Sequence, residues 1–429
     1  MFGTAPLSFN DKKGKFIVSF GWKCYSAIVT SLLIVLIYCG MQRRMSQLHI
    51  TMGDLVLPID TFNILLGDVS GIVLILRSIS LKQRCVDMWC LNLLSVDMFL
   101  HRNSEPEYFK ISKLLQRMLF MVMLLSLVLF GGYMWLPEYR FQLDLLFPFY
   151  FCYGVRYAVT HQFFAFNMIL YRKFLHLNKH LLDIFCVHSE FDLDYIISPW
   201  TKTNTGNYVS EFQCKLHSED SCNLTRRERL ENRIKRKSGL AAPMTLQFKS
   251  SVPVSHIRKV HCLLHDMTRS VSEAFGVQIV AEVTFSFLNI VMNTYVMLAH
   301  FLRTGAVSCG PPTGVVLLAC LPWSVLSVCR LAIIACSSES VVQESNHTLE
   351  LVNKLLLLPS NGDYDRRQAL QKFAHQLHHS RLSYSAAGLF SIDRSLITSC
   401  VATITTYLVI LIQFSLKKFS RQQRNNCSS

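Results

Sequence analysis

The chain has 429 residues, of which 51% are hydrophobic and 17% are charged, and its formal net charge at pH 7 is +15. Soluble proteins carry about 25% charged residues, and the apolar residues here lie in unbroken runs, so the composition argues against an ordinary soluble protein. The 15 cysteines have no CxxC pair and no regular spacing, which argues against a disulfide scaffold or a zinc module.

Seven apolar runs are long enough to cross a bilayer, for which a helix needs about 20 residues. They cover approximately residues 24–40, 55–76, 118–136, 145–171, 274–301, 315–336 and 396–414. Unsatisfied backbone groups are costly in lipid, so spans of this length must be helical. The sequence therefore predicts an all-α fold, a seven-transmembrane helix bundle.

The segments between the spans define the predicted organisation. Residues 1–301 hold spans one to five and include a long loop over 172–273, whose start could extend the fourth helix. The segment over 302–336 holds span six. Apolar positions at helical spacing then predict helices over 339–358 and 365–382, within an anchor region over 337–395. Span seven and a tail over 415–429 follow.

Orientation follows from the distribution of the basic residues. Most of the 43 Lys and Arg fall in the amino terminus and in the loops after spans two, four and six. Cytoplasmic segments carry such an excess. The amino terminus, the long loop and the anchor region are therefore predicted to be cytoplasmic, and the carboxyl-terminal tail extracellular.

The long loop contains a basic run over 226–237. Such a run is compatible with a nuclear signal or a nucleic-acid patch. A solvated segment or one facing anionic lipid is the simpler interpretation, because the run lies on the predicted cytoplasmic side. Membrane lipid, and not nucleic acid, is the expected partner.

Several ionisable residues lie at membrane depth, where they usually face the bundle interior and have a partner. Glu282 and Arg330 lie at comparable depths on spans five and six and are expected to form a structural ion pair. A second group is expected to form a ligand site open to the outside, with Asp68 as an alternative to Asp60: Asp60, Tyr153, Arg156, Asn293, Tyr295 and Trp323.

Aromatic walls with a few convergent polar groups suit a small polar ligand such as a sugar, or an aromatic natural product. Asn289 and Asn293 are four residues apart and share one face of span five. The alternative for each of these residues is an interhelical hydrogen bond or an interfacial aromatic ring.

No enzyme site is recognised. The sequence has no GxSxG, P-loop, HExxH or GxGxxG motif. His375, His378 and His379 lack a nearby Cys or carboxylate set and are interpreted as a polar helix face. We therefore expect no catalytic residue, no metal and no cofactor.

The strongest signal lies in the last span. Residues 383–397 read SYSAAGLFSIDRSLI, and residues 406–414 read TYLVILIQF. The second stretch resembles the TYhhhhhQF signature of the insect gustatory receptor family, where h is hydrophobic, and it matches at Thr406, Tyr407, Gln413 and Phe414. The lead-in AAGLFSID is also of the family's type.

This resemblance implies a tetrameric ligand-gated cation channel in the plasma membrane of gustatory neurons. The seventh helices would surround the pore, with ligand pockets among spans one to six. Gln413 and Phe414 would lie at the gate, and Thr406 and Tyr407 would support it. The ligand would be a soluble tastant, a sugar or a bitter compound, and the subunits would form a homotetramer or combine with related receptors.

Three other classes remain as alternatives. A metabotropic receptor that signals through G proteins would need a cytoplasmic carboxyl terminus. A secondary transporter would be expected to have repeated halves or broken helices, and no convincing internal repeat is found. An odorant-receptor-like subunit differs only in the carboxyl-terminal signature.

Overall fold

The protein is described by a computed structural model that covers residues 7–10, 15–18, 20–50, 56–79, 83–100, 105–135, 143–185, 254–304, 313–357 and 364–426. The basic run over 226–237 and most of the loop over 172–273 lie outside the described residues. The predictions made for them are therefore not addressed by the structure.

The described part contains nine helices and two short antiparallel hairpins. In chain order they are β1 (Leu7–Asn10), β2 (Lys15–Val18), α1 (Phe20–Ile50), α2 (Val56–Ile79), α3 (Gln83–Phe99), α4 (Glu105–Trp135), α5 (Leu143–Ile184), α6 (Val254–Thr304), α7 (Thr313–Leu356), α8 (Tyr364–His379), β3 (Ser385–Ala386), β4 (Phe390–Ser391) and α9 (Ser395–Asn426). Strand β1 pairs with β2, and β3 pairs with β4.

The predicted helical fold is confirmed. Each of the seven predicted spans lies within a helix to within one residue at its ends, on α1, α2, α4, α5, α6, α7 and α9. The sequence analysis did not predict α3 or the two hairpins. The apolar stretch of α3 covers only Trp89–Phe99 and the strands are two to four residues long, so neither produces a long apolar run.

Four helical stretches in the described residues have the length and composition of a membrane span. They are Tyr108–Gly132, Val254–Leu298, Cys320–Leu356 and Ser395–Gln413. Shorter apolar stretches lie on α1, α2 and α3. Helix α5 is long enough to cross a bilayer, but polar side chains such as Arg156 and Asn167 interrupt its apolar sequence.

Several helices continue past the predicted ends of the spans. Helix α5 runs on to Ile184, and α9 runs on to Asn426. The helix predicted over 339–358 is not separate, because α7 is continuous from Thr313 to Leu356. The helix predicted over 365–382 corresponds to α8, which ends at His379.

The chain divides into two compact units. Unit 1 contains residues 1–173, 263–343 and 382–429, and unit 2 contains residues 174–262 and 344–381. Unit 1 therefore holds α1 to α4, most of α5, α6 and α7, the β3–β4 hairpin and α9. Helices α2 and α5 of this unit approach each other closely at Gly71. A Cβ at this position would overlap the Cβ of Cys152 on α5.

Unit 2 has a core of its own, formed by the ends of α5, α6 and α7 together with α8. The ring of His261 contacts Phe174 and Phe373, with centroid separations of 5.6 and 5.8 Å. The Asn178 amide donates to Glu344 Oε1 at 2.8 Å and accepts from the Thr348 hydroxyl at 2.7 Å. Polar and apolar contacts thus join the helix ends.

Candidate functional site

A buried polar core lies in unit 1 between helices α2, α5, α6 and α7. At its centre Arg330 Nη1 donates to Glu282 Oε2 at 3.4 Å, and each of the two side chains is 1% exposed. Breaking such a buried pair costs about 3–5 kcal/mol, because one charge is left without a partner. The structure brings these two residues together.

A chain of hydrogen bonds extends from this pair along α6 and α7. Arg330 Nη2 donates to the Ser327 hydroxyl at 3.3 Å, and the Asn289 amide donates to the same hydroxyl at 2.9 Å. The Asn293 amide then donates to Asn289 Oδ1 at 2.6 Å. The helical spacing of Asn289 and Asn293 places them on one face, so α6 and α7 share a polar seam.

Arg156 of α5 forms the second cationic centre of the core. Its side chain is fully buried, and Nη1 donates to the Ser70 hydroxyl of α2 at 3.2 Å. The guanidinium carbon lies 3.4 Å from the centroid of the Phe285 ring and 5.2 Å from that of Tyr153. Arg330 lies 4.8 Å from the same Tyr153 ring, so aromatic faces bind both guanidinium groups.

Many polar atoms of this core have no hydrogen-bond partner among the described residues. They are Asp68 Oδ1, Tyr153 Oη, Arg156 Nε and Nη2, Glu282 Oε1, Ser286 Oγ and Arg330 Nε. Each unsatisfied buried group costs about 1–3 kcal/mol, and folded proteins retain few of them. Donors and acceptors are both present, so the core is suited to bind water or a polar molecule.

An aromatic cluster forms one wall of the core. Trp323 of α7 makes edge contacts with three rings of α5, at centroid separations of 5.3 Å to Phe149, 5.5 Å to Tyr150 and 4.9 Å to Tyr153. Ile64 of α2 is buried in the same cluster. Such edge-to-face pairs fix ring orientation and provide a flat apolar surface.

Most of the residues predicted to bind ligand belong to this core. The exceptions are Tyr295 and Asp60. Tyr153, Arg156, Asn293 and Trp323 are buried there. Tyr295 is also buried, but residues two apart on a helix do not face each other, so it points away from Asn293. The Asp60 side chain lies outside the described residues.

The described side chains of the cluster expected to open outward are buried between four helices. Asp68, the alternative acid, is buried, yet it forms no ion pair with Arg156 in the described structure. Arg156 bonds to Ser70 instead. The sequence analysis also missed Phe285 and Ser327, which lie three residues from Glu282 and Arg330; helical spacing to a buried charge was the signal that could have found them.

The β3–β4 hairpin is anchored to three helices of unit 1. The Tyr384 hydroxyl donates to Asn167 Oδ1 of α5 at 2.7 Å, and the Asn167 amide donates to the Ser337 hydroxyl of α7 at 3.0 Å. The Ser272 hydroxyl of α6 bonds to both the carbonyl and the N–H of Ser385, at 3.1 and 3.2 Å. The segment immediately before α9 is therefore tied to the bundle.

The turn of this hairpin explains the AAGLFSID sequence. Ala387 and Gly388 have φ values of +52° and +79°, and the Leu389 N–H donates to the Ala386 carbonyl at 2.9 Å. Positive φ at both central positions is typical of tight hairpin turns. The turn packs on α6 so closely that a Cβ at Gly276 would lie 2.8 Å from the Ala387 nitrogen.

Two ionisable groups near the hairpin have shifted pKa values. Hydrogen bonds from the Ser395 side chain, and then from Ser391 and from backbone N–H groups, lower the pKa of Asp393, which caps the start of α9. Burial raises the pKa of Tyr384. Tyr384 is therefore a hydrogen-bond donor at physiological pH, as its bond to Asn167 requires.

Helix α9 contains the residues predicted to form the gate. None of the described side chains from Ser395 to Gln413 is buried. The Thr406 hydroxyl donates to the Ala402 carbonyl at 3.0 Å, and Tyr407 makes an edge contact with Phe287 of α6 at 6.2 Å. Gln413 is exposed, and the Phe414 side chain lies outside the described residues.

Relatives among known proteins are gustatory receptors. The Drosophila melanogaster protein named gustatory receptor 28b is 28% identical over 162 residues, which are 37% of this chain and 33% of that protein. Gustatory and pheromone receptor 32a of the same organism is 27% identical over 158 residues, 37% of this chain and 32% of that protein. The matches thus span about a third of each relative.

The fold is also that of a solved insect receptor. Olfactory receptor OR5 from Machilis hrabei has a TM-score of 0.57 and 12% identity, with 96% of this chain and 95% of that chain covered. A second structure, of OR5 in complex with eugenol, has a TM-score of 0.54 and 13% identity. At this level of identity the likeness establishes the fold alone.

The family is established by a match over almost the whole sequence. A sequence model described as 7tm Chemosensory receptor matches residues 1–418, which include the buried polar core, the hairpin and the described part of α9 up to residue 418. The protein therefore belongs to the 7tm chemosensory receptor family, a family of receptors and not of enzymes.

Proposed function

We propose that this chemoreceptor is a gustatory receptor that acts as a ligand-gated, non-selective cation channel, opened by small soluble tastants such as sugars or bitter compounds. The observation that carries the proposal is the hairpin that ties α9 to the helices around the polar core. It offers a path from a ligand site to a pore helix. The channel would lie in the plasma membrane of gustatory neurons.

The ligand would bind in the polar core. The unsatisfied donors and acceptors around Arg156, Glu282 and Arg330 and the aromatic wall at Trp323 supply both polar and apolar contacts, as small-molecule sites generally do. The structure of OR5 in complex with eugenol supports small-molecule binding by proteins of this fold. Because the side chains of the core are buried, binding requires at least side-chain movement.

Movement of α5, α6 or α7 would be transmitted through the hairpin. Tyr384 links it to α5 and α7 through Asn167, and Ser385 links it to α6 through Ser272. Helix α9 has no buried side chain among those described, so its position depends on few contacts within the chain. A ligand that binds better to one arrangement of the bundle would shift the population toward that arrangement.

The pore would form where four copies of α9 meet. Its described residues are uncharged over the span, and the hydroxyls of Thr403, Thr405 and Thr406 bond to carbonyls of their own helix. A closed apolar constriction could be dewetted, and Gln413 could hydrate it when rotated inward. Phe414 would complete the gate, and Tyr407 would support it. The proposed assembly is a homotetramer or a heteromer with related receptors.

Current recordings in oocytes test this proposal. Tastants drawn from sugars, alkaloids and glycosides should evoke cation currents that persist when G-protein signalling is blocked. Gln413→Ala should alter gating or permeation at normal surface expression, whereas Gln343→Ala, on the cytoplasmic end of α7, should leave both unchanged.

The outcomes separate the two leading classes. Currents that disappear with G-protein block would favour a metabotropic receptor. A well-expressed chain that gives no current with any compound would contradict an autonomous channel.

A further inference from the structure

One edge of the Arg156 guanidinium has no acceptor. The side chain is fully buried, and Nη1 is used by Ser70. Neither Nε nor Nη2 finds a hydrogen-bond partner among the described residues. These two nitrogens form one side of the planar group and direct two N–H bonds nearly in parallel, the arrangement that matches the two oxygens of a carboxylate.

The charge of Arg156 also lacks a direct counter-ion among the described side chains. The carboxylate of Glu282 is 3.4 Å from Arg330. Asp68 and Glu282 both interact with Arg156 electrostatically, but no ion pair joins either of them to Arg156 among the described residues, and Asp68 Oδ1 bonds to nothing described. A buried charge without a partner is strongly destabilising. Water or a sugar hydroxyl could accept the two hydrogen bonds but would bring no negative charge.

Aromatic rings lie close to the Arg156 guanidinium. The Phe285 ring lies under the guanidinium carbon at 3.4 Å, the Tyr153 ring lies 5.2 Å from it, and Trp323 packs on Tyr153. Flat apolar ligands suit such walls. An aromatic acid would therefore place its carboxylate on Arg156 and its ring against this cluster.

We propose that Arg156 binds the carboxylate of a small aromatic organic acid, and that such acids are ligands of this receptor. The inference rests on the proposed function only in taking the polar core as the ligand site. It adds the ligand class and the residue that selects it. Neutral analogues of the same shape, such as amides, would lose the charge pairing and one of the two acceptors.

Thermal unfolding of the purified full-length protein in detergent tests this directly, without channel activity. Benzoate and cinnamate, at constant pH 7 and ionic strength, should raise the melting temperature, whereas benzamide and cinnamamide should not. Arg156→Gln should abolish the effect of the acids. Arg156→Lys keeps the charge but not the paired N–H groups, so it should weaken apparent affinity by about tenfold to a hundredfold.

Arg269→Gln is the matched control, because Arg269 is an exposed cation of α6 that pairs with Glu273; it should respond to the acids like the wild type. Equal stabilisation by acid and amide, or no stabilisation by either acid, would overturn the inference, as would an undiminished acid effect in Arg156→Gln.

If the Arg156 variants do not fold, the comparison of acid and amide on the wild type still decides. Acid binding without any tastant current would instead contradict the proposed channel and leave this inference intact.

Discussion

At the residue scale, the protein is distinguished by charges held inside an apolar bundle. Arg156, Glu282 and Arg330 are each at most 1% exposed. Buried ion pairs add little net stability over apolar residues of similar volume, but removal of one partner is costly. Retention of these charges is therefore better explained by a binding role or by a requirement for one particular helix arrangement than by stability alone.

The Glu282–Arg330 pair gives the first prediction. Glu282→Gln should lower the free energy of unfolding by about 3–5 kcal/mol, because Arg330 would remain charged and buried. Surface expression and the melting temperature in detergent measure this. Glu273→Gln is the control, since the Glu273–Arg269 pair is exposed and worth at most about 1 kcal/mol. Equal surface expression and melting of the Glu282→Gln variant and the wild type would count against a structural pair.

Asp393 gives a pH-dependent prediction. Its pKa is lowered in the folded state, below an unfolded value of about 3.9. Its contribution to stability is therefore present above the unfolded pKa and is lost as the pH falls through the folded pKa. Asp393→Ala should cost about 1 kcal/mol at pH 7, and the difference from the wild type should shrink below about pH 4.

Melting temperatures between pH 7 and pH 3 check this expectation. Asp393→Asn is the control, because Asn also caps helices well but does not titrate. It should lose little stability at pH 7, and the part of the pH dependence due to Asp393 should disappear. A deficit of Asp393→Ala that stays the same at pH 3 would mean that the ionised carboxylate does not provide the cap.

At the scale of elements, the β3–β4 hairpin joins the bundle to α9. It is only a few residues long, yet Tyr384 donates to Asn167 of α5 and Ser385 bonds to Ser272 of α6, and Asn167 bonds in turn to α7. The close packing of Ala387 against Gly276 also holds the hairpin to α6. A short element held at so many points moves with the helices to which it is bound.

Gly276→Ala is predicted to disturb this contact. A Cβ there would lie 2.8 Å from the backbone nitrogen of Ala387, and backbone cannot rotate away as a side chain can. Overpacking of this kind costs about 1–3 kcal/mol, so the melting temperature should fall and tastant responses should weaken. Gly131→Ala on α4 is the control, since nothing lies within 4 Å of its Cβ position.

The Gly131→Ala control is expected to change stability in the opposite direction to Gly276→Ala. Because Ala has the higher helix propensity, Gly131→Ala should be neutral or stabilising by up to about 1 kcal/mol. If Gly276→Ala behaves in the same way, the hairpin is not packed against α6 as described.

At the scale of the whole molecule, orientation in the membrane is the property that most affects function. The distribution of Lys and Arg predicts a cytoplasmic amino terminus and an extracellular carboxyl terminus. A glycosylation reporter fused after Ser429 should therefore be modified. The same reporter inserted at Ser218, in the loop predicted to be cytoplasmic, should remain unmodified. A modified loop and an unmodified tail would reverse the topology and favour a G-protein-coupled receptor.

The carboxyl-terminal sequence and the apolar runs allowed much of the fold to be predicted. Long apolar runs specify helices in lipid, because the backbone has no other way to satisfy its hydrogen bonds there. Helix α3 and the β3–β4 hairpin escaped prediction because they are held by contacts with distant segments. Contacts such as that between Tyr384 and Asn167, 217 positions apart, leave no periodic signal in the sequence.

The sequence by itself determined the helical membrane class, the family resemblance and the presence of charges at membrane depth, since these depend on composition and local pattern. The sequence suggested a partner for Glu282, but only the tertiary structure decided which of those charges are in contact. It paired Arg330 with Glu282 but directed Arg156 to Ser70 and Phe285. The physical reason is that depth along a helix can be counted in residues, whereas the face that meets a neighbour depends on how the helices pack.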